Sequence, residues 1–243
     1  LQAAQFPEYF KLHEKVWFKI AWPRVVKNSE KVIGISEFTK NDIISRFGTR
    51  GNVIAICNPV VLDNNNIADF NSISKEYKIE KNNYYYTVCS MHKHKNLITL
   101  LKVIKEIKDK KLDIPDKLVI SGVGGPNKET FYKQVEEMGI SNSVVLTSFV
   151  SDEVRNSLIK NSNCFLFPSI FEGFGMPPVE AMELGARTIT TNMTSLPEVT
   201  QGKCSLIMDP FSVEEWIDKI QNIQSMVPQK IHFKEYEDTY VAR

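Results

Sequence analysis

From Tyr84 onward the chain alternates short apolar runs with helix-length stretches, and nothing else in the sequence restricts its fold as strongly. Tyr84–Cys89, Leu118–Gly122, Val144–Phe149, Cys164–Phe167, Arg187–Thr191 and Cys204–Met208 are runs of strand length and composition. Between them, Asn96 to Lys108 places Leu97, Leu100, Leu101, Ile104 and Ile107 on one helical face. Lys128 to Met138 forms a helix ended by Gly139, Ser151-Asp152-Glu153 opens another, and Val213 to Ile223 is amphipathic. Strands alternating with helices predict an α/β fold with a doubly wound parallel sheet.

The stretch best equipped for chemistry is Ser169 to Met182, behind the apolar strand Cys164–Phe167. Pro177 and Pro178 fix their own φ in the way a first helical turn prefers, so Glu172 is expected on a loop and Glu180 in a helix. On one continuous helix their eight-residue spacing would hold the carboxylates roughly 12 Å apart along the axis, too far for one small substrate. With Glu172 on a loop folded over the helix start, both reach one ligand. Phe174, Gly175 and Met176 then present backbone N–H groups where the helix dipole favours an anion. Gly173 and Gly175 permit the close approach that phosphate or sugar oxygens need. The same residues also suit a plain strand–loop–helix connection, with Glu172 solvated and Glu180 complementing the dipole. A glycoside hydrolase is the third reading, although its paired carboxylates usually come from separate elements.

A basic loop, Ser90-Met91-His92-Lys93-His94-Lys95-Asn96, runs into the next helix start, and cations beside N-terminal amides suit a diphosphate. Gly122, Gly124 and Gly125 lack the third glycine of a dinucleotide fingerprint, where Asn127 stands, and are expected to make a tight turn. Ser195 and Glu198 have capping-box spacing, a structural role preferred here over a ligand contact.

Upstream, Phe6 to Ile20 carries a roughly helical apolar stripe that Trp22-Pro23 is expected to end or redirect. Lys31–Ile35 and Asn52–Cys57 are strands flanking a helix from about Phe38 to Phe47, capped by Ser36 or Thr39. Asn58 to Asn83 is rich in Asn, Asp, Ser and Lys and is expected to be a linker. A net charge of +1 gives no electrostatic case for a nucleic-acid partner, and no apolar run approaches a membrane span. Cys57, Cys89, Cys164 and Cys204 are widely spaced in or beside strand-like runs and are expected to be buried thiols of a reducing compartment. No His, Asp or Cys clustering suggests a metal, so metal-independent chemistry is expected and no cofactor is implied.

The pattern Glu172-x-Phe174-Gly175-x-x-x-x-Glu180, with Pro177-Pro178 and Glu180-Ala181-Met182, resembles the donor-site signature of the retaining group-one glycosyltransferases. That family has two Rossmann-like domains in the GT-B arrangement, and the resemblance runs from about Val16 to about Lys234. It implies a C-terminal remnant of the acceptor-binding domain (1–58), a linker (59–83), the nucleotide-sugar donor domain (84–228) and the start of a tail helix crossing back to the first domain (229–243). The chain starts at Leu1 without a methionine and shows two strands before Asn58, as expected of the tail of that first domain. Within the family, Glu180 would accept hydrogen bonds from the ribose hydroxyls, Glu172 would hold the donor sugar, and Lys95 would offset the diphosphate charge. Ser90 and His94 share the phosphate loop, His94 standing where arginine is common and Cys89 where glycine is common. Val150 would meet the base through its backbone. Val32 to Lys40 looks like the family's Ser-Glu-Phe-Thr-Lys segment, with no ligand role assigned to it. The implied partners are a nucleotide-sugar donor and a saccharide or lipid-linked acceptor. A cytoplasmic protein is implied, at the inner face of a bacterial membrane, touching that membrane through the first domain. A nucleotide- or sugar-binding module that needs a partner chain is the alternative.

Overall fold

The structure, a computed structural model, describes residues 1–48, 51–60, 62, 66–125 and 127–231. The chain opens with α1 (Gln2–Gln5), a 3-10 turn (Pro7–Tyr9) and α2 (Leu12–Asn28), followed by β1 (Val32–Gly34), α3 (Glu37–Phe47) and β2 (Val53–Ala55). Strands β1 and β2 pair in parallel as a two-stranded sheet. Ser36 caps α3 by accepting from the Thr39 amide, and Gly48 closes it in the left-handed region.

Three local expectations for this first part need correction. The stripe from Phe6 to Ile20 is not one helix, because Pro7 interrupts it and α2 starts only at Leu12. Trp22-Pro23 does not stop α2, which runs on to Asn28. Phe18 packs edge-on against Phe10 and Trp22, and Trp22 stacks on Phe47, so aromatic packing on that side outweighs the backbone bond that Pro23 cannot make. The 59–83 stretch contains α4 (Phe70–Tyr77), whose first amides at Asn71 and Ser72 donate to the Asp69 carboxylate. Ile73 within it and Ile79 just after its end are the buried anchors, too few to give a readable period. Asn64 and Asn65 lie outside the described residues, as do 232–243, where the tail helix is expected.

The rest alternates as the sequence predicts: β3 (Tyr85–Val88), α5 (Leu97–Asp109), β4 (Leu118–Ser121), α6 (Asn127–Glu137), β5 (Val144–Ser148), α7 (Asp152–Asn161), β6 (Cys164–Phe167), α8 (Met176–Glu183), β7 (Thr188–Thr191), α9 (Leu196–Val199), β8 (Ser205–Ile207) and α10 (Val213–Gln221). The six strands form one parallel sheet in the order β5-β4-β3-β6-β7-β8. Counted from β3 this is the Rossmann order 3-2-1-4-5-6.

Side chains on successive strand residues point to opposite faces, and this period of two builds two cores. Tyr85, Leu118, Ile120 and Leu166 face α5, α6 and α10 in a cluster that includes Phe131 and Trp216. Tyr84, Tyr86, Val119, Phe165 and Phe167 face the other way, onto α4, α7 and α8, with Ile73, Leu158 and Ala181. Burying each large side chain contributes roughly 1.5–3 kcal/mol, so the sheet is fixed from both sides. Among the described residues no helix is long and apolar enough to cross a membrane.

Candidate active site

The strand order reverses between β3 and β6, and in open α/β sheets the ligand crevice opens at the carboxyl ends of the strands at such a point. Both stretches singled out in the sequence start there. The basic loop follows β3 and ends in a single 3-10 turn, Lys93–Lys95; the Glu172 loop follows β6. They meet in an ion pair, Lys95 Nζ to Glu172 Oε1 at 2.6 Å, with side chains 21% and 14% exposed. Lys95 also lies over the Phe167 ring, 5.6 Å from its centroid. Cys89 sits close enough to feel both charges, while burial pushes its thiol up to about 12. Ser90, half-buried, follows it at the strand tip.

The Glu172 loop turns sharply into α8. Gly175 has φ +102, and a Cβ there would stand 2.6 Å from Cδ2 of the buried Leu196. Gly173 is crowded from the other side, where an added Cβ would meet Ile35 at 3.2 Å. Phe174 is buried against Val179 and Met182, whereas Met176 is half-buried at the first position of α8. Pro177 and Pro178 carry no N–H, and among the described residues the amides of Phe174, Gly175 and Met176 have no acceptor. These donors lie at a helix start, the arrangement that attracts an anion.

Side chains from two other elements hold this loop in place. The Glu172 N–H donates to Thr194 Oγ1 at 3.0 Å, and Ser195 Oγ bonds the Glu172 and Phe174 carbonyls at 3.0 and 2.7 Å. Ser36 Oγ and Thr39 Oγ1 both donate to the Gly173 carbonyl, at 2.7 and 2.9 Å. The expected capping box at Ser195 and Glu198 is therefore absent. Ser195 is spent on the loop, and Glu198 accepts the Glu37 and Phe38 amides at 2.7 and 3.0 Å. The Ser36–Thr39 turn, expected to have no part in the site, is one of its walls.

Glu180 has a different cation from Glu172. Its Oε2 lies 4.0 Å from Arg155 Nη2, and Arg155 Nη1 pairs with Asp152 at 2.9 Å. Burial raises the Glu180 carboxyl above its ordinary range; Arg155 works against this rise and Asp152 adds to it. The two carboxylates expected to converge are thus built into separate ion pairs, on α8 and on the loop before it. Val150 is half-buried just past β5, beside the 81% exposed Phe149, whose ring faces Gly124.

His94 is not presented as a phosphate ligand. It is 4% exposed, and burial pushes its imidazole down to about 4, with Lys95 and His92 acting in the same direction. The ring packs among Phe6, Tyr9 and His92 at centroid distances of 5.5, 5.5 and 5.7 Å. Its backbone remains structural: the amide donates to the Tyr9 hydroxyl and the carbonyl accepts from Ile170 N and Ser169 Oγ. Sequence reasoning missed Tyr9, Thr194 and Arg155 at this site. Arg155 carried the only readable signal, three residues after Asp152 on a helix, and such pairs are usually surface pairs.

A lysine beside unpartnered amides can hold an anion of diphosphate type, and carboxylates beside it can accept sugar hydroxyls. Among the described residues no three His, Cys, Asp or Glu side chains cluster so as to hold a metal ion.

The sequence model of the family described as glycosyl transferases group 1 matches residues 69–238. The O-antigen chain mannosyltransferase B of Escherichia coli is 25% identical over 213 residues, which cover 86% of this chain and 55% of that protein. The O-antigen chain mannosyltransferase RfbU of Salmonella typhimurium is 26% identical over 233 residues, 93% of this chain and 60% of that one. The chain therefore spans somewhat over half the length of these relatives. A crystal structure of Anabaena Alr3699/HepE in complex with UDP and glucose superimposes with a TM-score of 0.73 at 16% identity, covering 91% of this chain and 61% of that one, a likeness of fold.

Proposed function

We propose, from the premise that this chain belongs to the glycosyl transferases group 1 family, that it is the donor-binding part of a retaining glycosyltransferase. It takes a nucleotide-diphosphate sugar and passes the sugar to a saccharide or lipid-linked acceptor in bacterial surface-polysaccharide synthesis, at the cytoplasmic face of the membrane. The O-antigen mannosyltransferases among its relatives support a hexose donor and a part in surface-polysaccharide synthesis.

The observation that carries this reading is the Lys95–Glu172 pair beside the unpartnered amides of Phe174 to Met176. The amides and Lys95 take the diphosphate, whose negative charge grows as the glycosidic bond breaks. Glu172, released from part of its pairing, accepts sugar hydroxyls, and Glu180 accepts the ribose hydroxyls. Retention by same-face attack is what the family resemblance implies, with Glu172 committed to Lys95 and to the sugar hydroxyls. The acceptor oxygen bonds C1 as the C1–O bond to phosphate breaks, and the acceptor proton passes to the departing phosphate. A thermal-shift and calorimetry screen with uridine, guanosine and adenosine diphosphates and their sugars tests the reading. Binding of at least one, weakened by Glu180→Ala, is expected; binding of none would remove the proposal.

One observation favours a second reading, a module completed by a partner chain. Among the described residues β1 and β2 form a two-stranded parallel sheet, which is marginal alone, beside an apolar hollow of about 810 Å³ lined by Phe10, Phe18, Trp22 and Phe47. Turnover restored on mixing with a co-purified α/β protein would favour it.

A further inference from the structure

The first turn of α3 and the short helix α9 both grip the Glu172 loop, and one side chain joins the two grips. On the α3 side, Ser36 and Thr39 hold the Gly173 carbonyl, and the Phe38 ring packs edge-on against Phe171 at 6.3 Å. On the α9 side, Thr194 and Ser195 hold the Glu172 amide and the Glu172 and Phe174 carbonyls. Thr194 does so at φ +54, an unfavourable region for a β-branched residue that persists only where its surroundings over-determine it. Glu198 connects the sides. Its two oxygens each accept one backbone amide, Glu37 N at 2.7 Å and Phe38 N at 3.0 Å, across 161 and 160 residues of chain. Two adjacent amides at the positive end of a helix match the two oxygens of a carboxylate, and the hydrogen bonds are charge-assisted.

We infer that Glu198 is a positioning residue for the donor sugar: by tying α9 to the start of α3, it sets the placement of Glu172 against Lys95. This rests on the donor-site reading above. Glu198 reaches no donor atom itself; it acts through the Gly173 carbonyl and the loop geometry. Its contribution falls on Glu172, next to the gripped Gly173 carbonyl, more than on the amides of Phe174 to Met176, which Ser195 holds separately through the Phe174 carbonyl.

Glu198→Gln separates these effects, because the amide keeps the shape but offers one acceptor oxygen and turns its NH2 toward the second backbone N–H. In calorimetry, UDP and GDP should bind the variant within about threefold of the parent chain. The additional affinity that UDP-glucose or GDP-mannose shows over its diphosphate should fall about tenfold. An equal loss for diphosphate and sugar nucleotide, or no loss of either, overturns the inference. Amide hydrogen exchange supplies a readout that needs no ligand: exchange should quicken at Glu37 and Phe38 and also at the bonded loop amides of Ile170 and Glu172. Quickening confined to Glu37 and Phe38 overturns the coupling. If the parent chain binds no nucleotide, the donor-site reading falls, and the exchange result still decides whether Glu198 positions the loop.

Discussion

Lys95 and Glu172, 77 residues apart in the chain, form an ion pair of 2.6 Å because adjacent parallel strands β3 and β6 end side by side. The pair sits against the Phe167 ring and next to the buried Cys89 thiol. Each charge is held where solvent reaches it poorly, so Lys95 can exchange the carboxylate for a phosphate and Glu172 can exchange the ammonium for hydroxyl donors.

Lys95→Met should leave Glu172 unpaired and lower stability by about 1–2 kcal/mol, between the values for exposed and fully buried pairs. Diphosphate affinity should fall roughly 10–100-fold, the worth of one strong charged hydrogen bond. Glu172→Gln should do the opposite for the diphosphate, tightening it modestly by freeing Lys95, while weakening the sugar nucleotide. Denaturant melts and calorimetry on both variants check this.

Burial raises the Glu180 carboxyl, with Arg155 opposing the rise and Asp152 adding to it. A raised carboxyl pKa favours the fold as pH falls, yet ribose binding needs the ionised form, so nucleotide affinity should be lost as pH drops through the raised value. Arg155→Leu should move that loss to higher pH, and Glu180→Gln should flatten the profile. Calorimetry across pH with a ribonucleoside diphosphate and its 2′,3′-dideoxy analogue is the measurement.

The buried His94 imidazole, pushed down to about 4 from an ordinary 6.5, gives a stability slope of predictable sign. Below pH 6.5 the unfolded chain takes up a proton that the folded chain refuses until about 4. Stability from this group is therefore complete above 6.5 and falls by about 3 kcal/mol as pH drops toward 4. His94→Phe should remove this part of the slope in urea melts run between those pH values.

Gly175→Ala should cost about 1–3 kcal/mol, since alanine resists φ +102 and its methyl would sit 2.6 Å from a Leu196 carbon. Sugar-nucleotide affinity should fall along with the melting temperature, because the same turn aims the free amides.

The parallel sheet was legible because apolar runs of strand length alternate with helical periods, and the turn from the Glu172 loop into α8 was legible because glycines and prolines have positional meaning. Residues 70–77 were misjudged because one buried isoleucine, Ile73, cannot outvote a polar composition. The Ser195–Glu198 spacing was misleading for a different reason: a capping signature states which hydrogen bonds are available locally, and here distant backbone groups claim them.

The sequence by itself determined the alternation of elements, the loop position of Glu172 and the helical position of Glu180, since these follow from local periodicity and fixed backbone dihedrals. Tertiary structure alone decided that Lys95 pairs with Glu172, that Arg155 faces Glu180, that His94 is buried neutral and that Glu198 caps a helix 160 residues away. Those outcomes depend on which strand ends lie side by side and which groups lose their water. Both are set by the packing of the whole sheet, and no local stretch of residues encodes them.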